Sequence, residues 1–202
     1  MKGLLIKDWK TLVKQTKVML AITALLACVP STYMSAFALF YAAMLPITAL
    51  AYDERAKWDE LAAMMPYTAK AIVGSKYALG LLLIGSISLL SAASQVVVSV
   101  VQHVPLNTET LISIPLVACG ALLMMLIDLP LMFRLGVEKG RIIYILLTCG
   151  CVTYFAMNTD DVIASLDTVS VYSALLMVLA ITIVAFVISY TISVQVYRVR
   201  RG

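Results

Sequence analysis

The sequence predicts an all-α membrane protein with about six transmembrane helices, and three observations carry that reading. First, 62% of the 202 residues are hydrophobic and only 13% are charged, against roughly 45–50% and about 25% in soluble domains. Second, the apolar residues fall in runs near the roughly 20 residues that a helix needs to cross a bilayer. Third, every Lys and Arg lies in one of four segments between or beside those runs. Six spans leave room for little else, so the chain reads as one transmembrane domain, 1–202.

Residues 1–17, MKGLLIKDWKTLVKQTK, are too polar to span. At helical spacing Lys7, Lys10, Lys14 and Lys17 share one face, and Leu5, Trp9, Leu12 and Val13 the other. That pattern is an amphipathic helix on an anionic membrane surface, its lysines toward the headgroups. The alternative is the basic n-region of a signal peptide, with Leu25-Leu26-Ala27-Cys28 as a loose lipoprotein box. Against it, Cys28 is followed by another apolar run. Spans one and two are expected at 18–33 and 34–51, with Pro30-Ser31-Thr32 as the turn between them. A polar stretch follows at 52–76, and span three is expected at 77–102. Spans four, five and six are expected at 111–133, 142–157 and 171–194, with a semi-polar acidic segment at 158–170. In that segment Val162, Ile163 and Leu166 fit a short helix dipping into the membrane.

The fifteen basic residues divide as five in 1–17, four in 52–76, three in 134–141 and three in 198–201. With six spans all four segments lie on one side, which the positive-inside rule makes the cytoplasm, and both termini lie there too. The opposite links contain no Lys or Arg but hold Glu109, Asp160, Asp161 and Asp167. A different span count would scatter the charges, so the pattern tests the topology independently of hydropathy. The expected location is a bacterial inner or plasma membrane.

Enzyme signatures are absent. The single histidine, His103, rules out an HExxH zinc site and a Ser–His–Asp set with a second candidate base; it reads as an interfacial side chain or a ligand contact. No GxxxxGK[ST] loop occurs, so ATP is not bound by that route. The four cysteines, Cys28, Cys119, Cys149 and Cys151, lie in apolar runs and read as small buried residues. Asp128 is the one acid at membrane depth; it snorkels or pairs near the interface, or serves in gating with Arg134 just past Pro130. Such poverty of coupling groups points to an energy source on another chain. In span three, Gly85, Ser88, Ala92, Gln95 and Ser99 share a face of small residues, suited to packing on another span of this chain or on a second copy.

The segment 52–76 is the most informative. Asp53, Glu54, Arg55, Lys57, Asp59 and Glu60 make it mixed in charge, and Trp58, Leu61, Met64 and Met65 set a soft apolar stripe at helical spacing. Pro66 closes that short helix, and Thr68 is placed to cap the next. The stripe suits either a protein groove or the lipid surface.

Three stretches resemble the compact ABC-2 type transporter permeases, in the branch that includes phenol-soluble modulin and bacteriocin-type peptide exporters. They are MKGLLIKDWK, similar to the family's elbow helix; YDERAKWDELAAMMPYTAKAIVGSKY, similar to its segment after span two; and LPLMFRLGVEKGR, similar to the end of span four and the loop after it. With the six spans, the resemblance covers the whole chain. It implies an ABC-2, type V exporter-like fold and a non-catalytic permease. It also implies a second permease chain, identical or not, and two cytoplasmic ABC ATPase subunits that bind ATP and Mg. The implied coupling helix covers Lys57, Trp58, Asp59, Glu60, Leu61, Met64 and Met65, with 134–141 as a second contact. The implied cargo is an amphipathic peptide or lipophilic antimicrobial entering from the lipid; no cofactor in this chain and no nucleic-acid partner are expected. Two rival classes remain, a non-transporting sensor or scaffold and an ATP-independent secondary carrier.

Overall fold

In the computed structural model, residues 2–65, 67–102, 108–157 and 171–201 are described. They form eight helices: α1 (Lys2–Gln15), α2 (Lys17–Cys28), α3 (Thr32–Arg55), α4 (Trp58–Ala63), α5 (Ala69–Gln102), α6 (Thr108–Leu135), α7 (Val137–Met157) and α8 (Val171–Arg201). Pro66, His103, the outer segment 158–170 with Val162, Ile163, Leu166, Asp160, Asp161 and Asp167, and the side chain of Glu109 lie outside the described residues.

Among the described residues, α3, α5, α6 and α8 are long and apolar enough to cross a bilayer, and the bent pair α1–α2 makes a fifth span if counted as one. Four to five spans are therefore visible where the sequence predicts six. The difference lies at α2 and α7. Helix α2 has 12 residues, about 18 Å at 1.5 Å per residue, short of a hydrocarbon core of about 30 Å. Helix α7 runs from Val137 to Met157 and carries Glu138, Lys139 and Arg141 in its first turns.

The 34 residues of α5 reach about 51 Å, well beyond the hydrocarbon thickness. Helix α8, with 31 residues, is likewise longer than a bilayer span needs and ends in an Arg-rich turn. The core lies between α3, α5, α6 and α8, where Leu39, Ile84, Met125, Leu126 and Leu129 are buried. Tyr77 closes the α5–α8 contact: its hydroxyl meets Ser189 Oγ at 2.6 Å and Ser193 Oγ at 2.8 Å, while Ser189 Oγ also donates to the Leu126 carbonyl. Hydroxyls satisfied in this way join helices where lipid offers no hydrophobic drive between them.

Gly80 lets α5 approach α3 and α6. A Cβ there would meet the Met125 Sδ and lie 3.2 Å from Pro46 Cγ, with Met125 fully buried. Gly80→Val is expected to destabilise by about 1–3 kcal/mol through overpacking, read as a lower melting temperature in detergent. Met125→Ala added to it restores part of the loss.

The segment expected as a loop at 134–141 is instead two helices broken at one residue. Gly136 has φ +84°, and its N–H donates to the Met132 carbonyl at 3.0 Å, the left-handed ending that glycine favours. Gly136→Ala is expected to lower stability by about 1–2 kcal/mol, measured in the same melting experiment.

Candidate functional site at the basic end

All four basic segments gather at one end of the bundle. The α6–α7 break touches the end of α3, where Val137 N–H donates to Glu54 Oε2 at 3.0 Å. Phe133 of α6 and Tyr197 of α8 meet edge to face with centroids 5.7 Å apart. A narrow cleft lined by Asp53, Glu54, Trp58, Lys76, Val137 and Tyr197 joins these elements.

At the centre stands a knot of four charges, Lys76 and Asp8 buried and Lys7 and Asp53 partly so. Lys76 Nζ, on α5, donates to Asp8 Oδ1 of α1 at 2.7 Å and to Asp53 Oδ2 of α3 at 2.5 Å. Lys7 Nζ, on α1, reaches Asp53 Oδ1 at 2.8 Å and Oδ2 at 2.9 Å, and Asp8 Oδ1 at 3.0 Å. Ser75 Oγ donates to Asp8 Oδ2 at 3.1 Å. The side chains of Lys76 and Asp8 are each 2% exposed. Two cations and two anions balance, and every carboxylate oxygen has a donor, the condition under which buried charges are tolerated.

The knot extends to α4. Lys7 Nζ sits 4.0 Å from the centroid of the Trp58 ring, a cation–π contact, and Trp58 packs against the core. Trp58 is therefore an anchor under α4 and not an outward face of the stripe. The expected coupling helix 57–65 is shorter too: Lys57, with φ 50°, precedes a six-residue helix, Trp58–Ala63, followed by the turn Met64–Met65. Leu61, Met64 and Met65 project into the open, Met64 at 85% exposure. Lys57 and Glu60 are also exposed and approach at 3.8 Å, a spacing worth little on a surface. The side chain of Asp59 lies outside the described residues. Ala71 N–H donates to Thr68 Oγ1 at 3.3 Å, so Thr68 caps α5.

The other sequence-derived candidates separate. Asp128 is fully buried and, among the described residues, neither carboxylate oxygen has a hydrogen-bond partner, whereas Arg134 is exposed. The two do not pair, and Asp128 does not snorkel. The small-residue face of α5 flanks the core instead of filling it. Ala92 packs against the core, a Cβ at Gly85 would meet nothing within 4 Å, and Gln95 Nε2 lacks a partner among the described residues. Ser88 and Ser99 bond back to their own helix, to the carbonyls of Gly85 and Val96. The contacts that seat α5 on α2 and α3 come from Ser91, bonded to Ser35 Oγ at 2.6 Å, and Ser94, bonded to the Ala27 carbonyl at 3.0 Å.

Sequence reasoning missed the knot. Helical spacing alone groups Lys7 with the headgroup-facing lysines, and Lys76 reads as the end of the polar stretch 52–76. The available signal was Asp8, the one acid within residues 1–17, placed on the Leu4–Leu12 face.

The arrangement seats a short apolar knob on α3 and, through Trp58, on the charge knot that joins α1, α3 and α5, at the end where the basic charge gathers. A family model described as ABC-2 family transporter protein matches residues 3–198. The chain belongs to the ABC-2 transporter family. No curated protein and no solved structure matches it. As an ABC-2 chain it is a multi-pass membrane protein, the membrane component of an ABC transporter, whose family implies a partner ATPase. ABC-2 permeases are generally non-catalytic membrane subunits.

Proposed function

We propose that this ABC-2 chain is the permease of an ATP-driven exporter, and that α4 with the turn after it docks in a groove of the ATPase. The exposed Leu61–Met64–Met65 knob on the charge knot carries the reading. Soft apolar side chains on a short rigid helix suit a protein groove. Four fixed charges would carry ATP-driven movement of α4 into α1, α3 and α5 together. ATP and Mg²⁺ belong to the ATPase subunits, two per complex.

In this reading α7 and the short α2, with the bilayer thinned around it, complete six spans, and the gathered basic segments face the cytoplasm with both termini. The open space at Gly85 and the amide of Gln95, unpartnered among the described residues, support a second permease chain on that face of α5. Amphipathic peptides or lipophilic antimicrobials are the proposed cargo, supported by the apolar surfaces that α5 and α8 turn outward.

The test is co-purification with a co-expressed ABC ATPase subunit. Leu61→Asp with Met64→Asp is expected to weaken the association at least tenfold while leaving the melting temperature of the permease unchanged, because both side chains are exposed. Unweakened association would refute the docking assignment. Trp58→Ala is a poorer probe, since it also removes the Lys7 contact, worth about 0.5–1 kcal/mol.

A further inference from the structure

At about 100° per residue, α1 presents three arcs. Leu4, Asp8, Leu12 and Thr16 are buried against the protein. Trp9, Val13 and Ile6 come next and are exposed. Then come Lys10 and Lys14, followed at the first position of α2 by Lys17, all exposed and, among the described residues, in no ion pair. The axis of α1 turns by 87° from that of α2 at Thr16, whose hydroxyl bonds the Leu12 carbonyl at 2.7 Å. Helix α2 packs on α3 and α5, both long and apolar enough to cross a bilayer; with those helices along the membrane normal, the 87° bend sets α1 near the membrane plane. Its exposed apolar arc sits between the buried arc and the basic one, the order expected of a helix half sunk in a leaflet.

We infer that α1 binds the leaflet through anionic headgroups and reports their charge to the coupling segment. Trp9, Val13 and Ile6 enter the acyl boundary, and Lys10, Lys14 and Lys17 meet the lipid phosphates. Charge complementarity selects the occupant, because three unpaired cations beside an apolar stripe match an anionic leaflet and not a neutral one. Lys7, at the edge of the basic arc, and Asp8, on the buried arc, belong to the knot, so movement of α1 on the leaflet reaches Trp58 and α4 directly. The reporting half of this proposal rests on the docking reading above; the lipid half does not.

The experiment reconstitutes the full chain in phosphatidylcholine vesicles doped with brominated phosphatidylcholine or brominated phosphatidylglycerol. Trp9 fluorescence is isolated by difference from Trp9→Phe. Brominated phosphatidylglycerol is expected to quench Trp9 at about tenfold lower mole fraction than brominated phosphatidylcholine, on the order of the pull of several surface lysines. The preference is expected to shrink with added salt and to vanish in K10Q/K14Q/K17Q. Equal quenching by both lipids, a preference retained in the triple variant, or a Trp9 quenched by neither because protein covers it, would each overturn the lipid half. With the ATPase present, phosphatidylglycerol should raise stimulated ATP hydrolysis at least threefold for the wild type and not for K10Q/K14Q/K17Q. Equal hydrolysis in both lipids, with the ATPase bound, would overturn the reporting half. Failure of the ATPase to bind at all overturns the docking reading and with it the reporting half, while the quenching still decides the lipid half.

Discussion

Lys76→Met is expected to destabilise the folded chain by about 3–5 kcal/mol, the penalty for removing one partner of a buried ion pair. Methionine fills the space of the lysine stem but leaves Asp8 and Asp53 sharing Lys7 alone. The knot then holds one uncompensated negative charge. In detergent the melting temperature should fall by roughly 10 °C or more for a chain of this size. Balance is the point at issue, so the decisive companion is Asp8→Asn combined with Lys76→Met. That pair leaves Lys7 with Asp53, at 2.8 Å, and is expected to recover most of the loss. If the double variant melts no higher than K76M, charge balance is not what the knot supplies. The single variant should also uncouple ATP hydrolysis from transport, since α1, α3 and α5 are joined there.

Asp128→Leu is expected to act with the opposite sign. Both oxygens of Asp128 are buried and have no hydrogen-bond partner among the described residues, and an unmet polar group of that kind costs about 1–3 kcal/mol. Leucine has a similar volume and no polar atom, so the variant should melt several degrees higher, in line with the same magnitude. A lower melting temperature would mean that the carboxylate has a partner in the assembled protein. Polar groups kept at membrane depth against such a penalty commonly serve function. Transport by D128L, measured beside its stability, therefore separates the two: a more stable but inactive permease assigns Asp128 a working role. Ion-coupled uptake without any ATPase, lost in Asp128→Asn, would instead favour a secondary carrier.

Several elements were legible from the residues alone. The apolar runs located α3, α5, α6 and α8, because lipid demands long helices with their backbone bonds satisfied internally. Thr68 was legible as a cap, since a hydroxyl before an apolar helix has a local partner in the first turn. Other elements were not. The RLGVEKGR segment reads as a polar loop, yet Gly136 alone breaks the helix there; charge in sequence does not distinguish a loop from a helix end standing in water. The 57–65 stripe reads as one amphipathic face, and only packing shows that Trp58 points inward while Leu61 and Met64 point out. The same holds for Lys7, whose spacing groups it with Lys10 and Lys14 although its amine turns to Asp53.

The sequence by itself determined the solvent, the helical class and the segregation of the basic residues into four segments. These follow from composition and from local periodicity, which need no knowledge of distant contacts. It also determined that α1 is amphipathic. Only the tertiary structure decided what each face of α1 meets. Asp8 and Lys76 are separated by 68 residues and Lys7 and Asp53 by 46, and no local pattern encodes pairings at that range. Their partners are chosen when the long helices pack and the first turns of α5 come beside α1. Electroneutrality within that small volume then selects Lys7 and Lys76 as the paired lysines and leaves Lys10, Lys14 and Lys17 exposed.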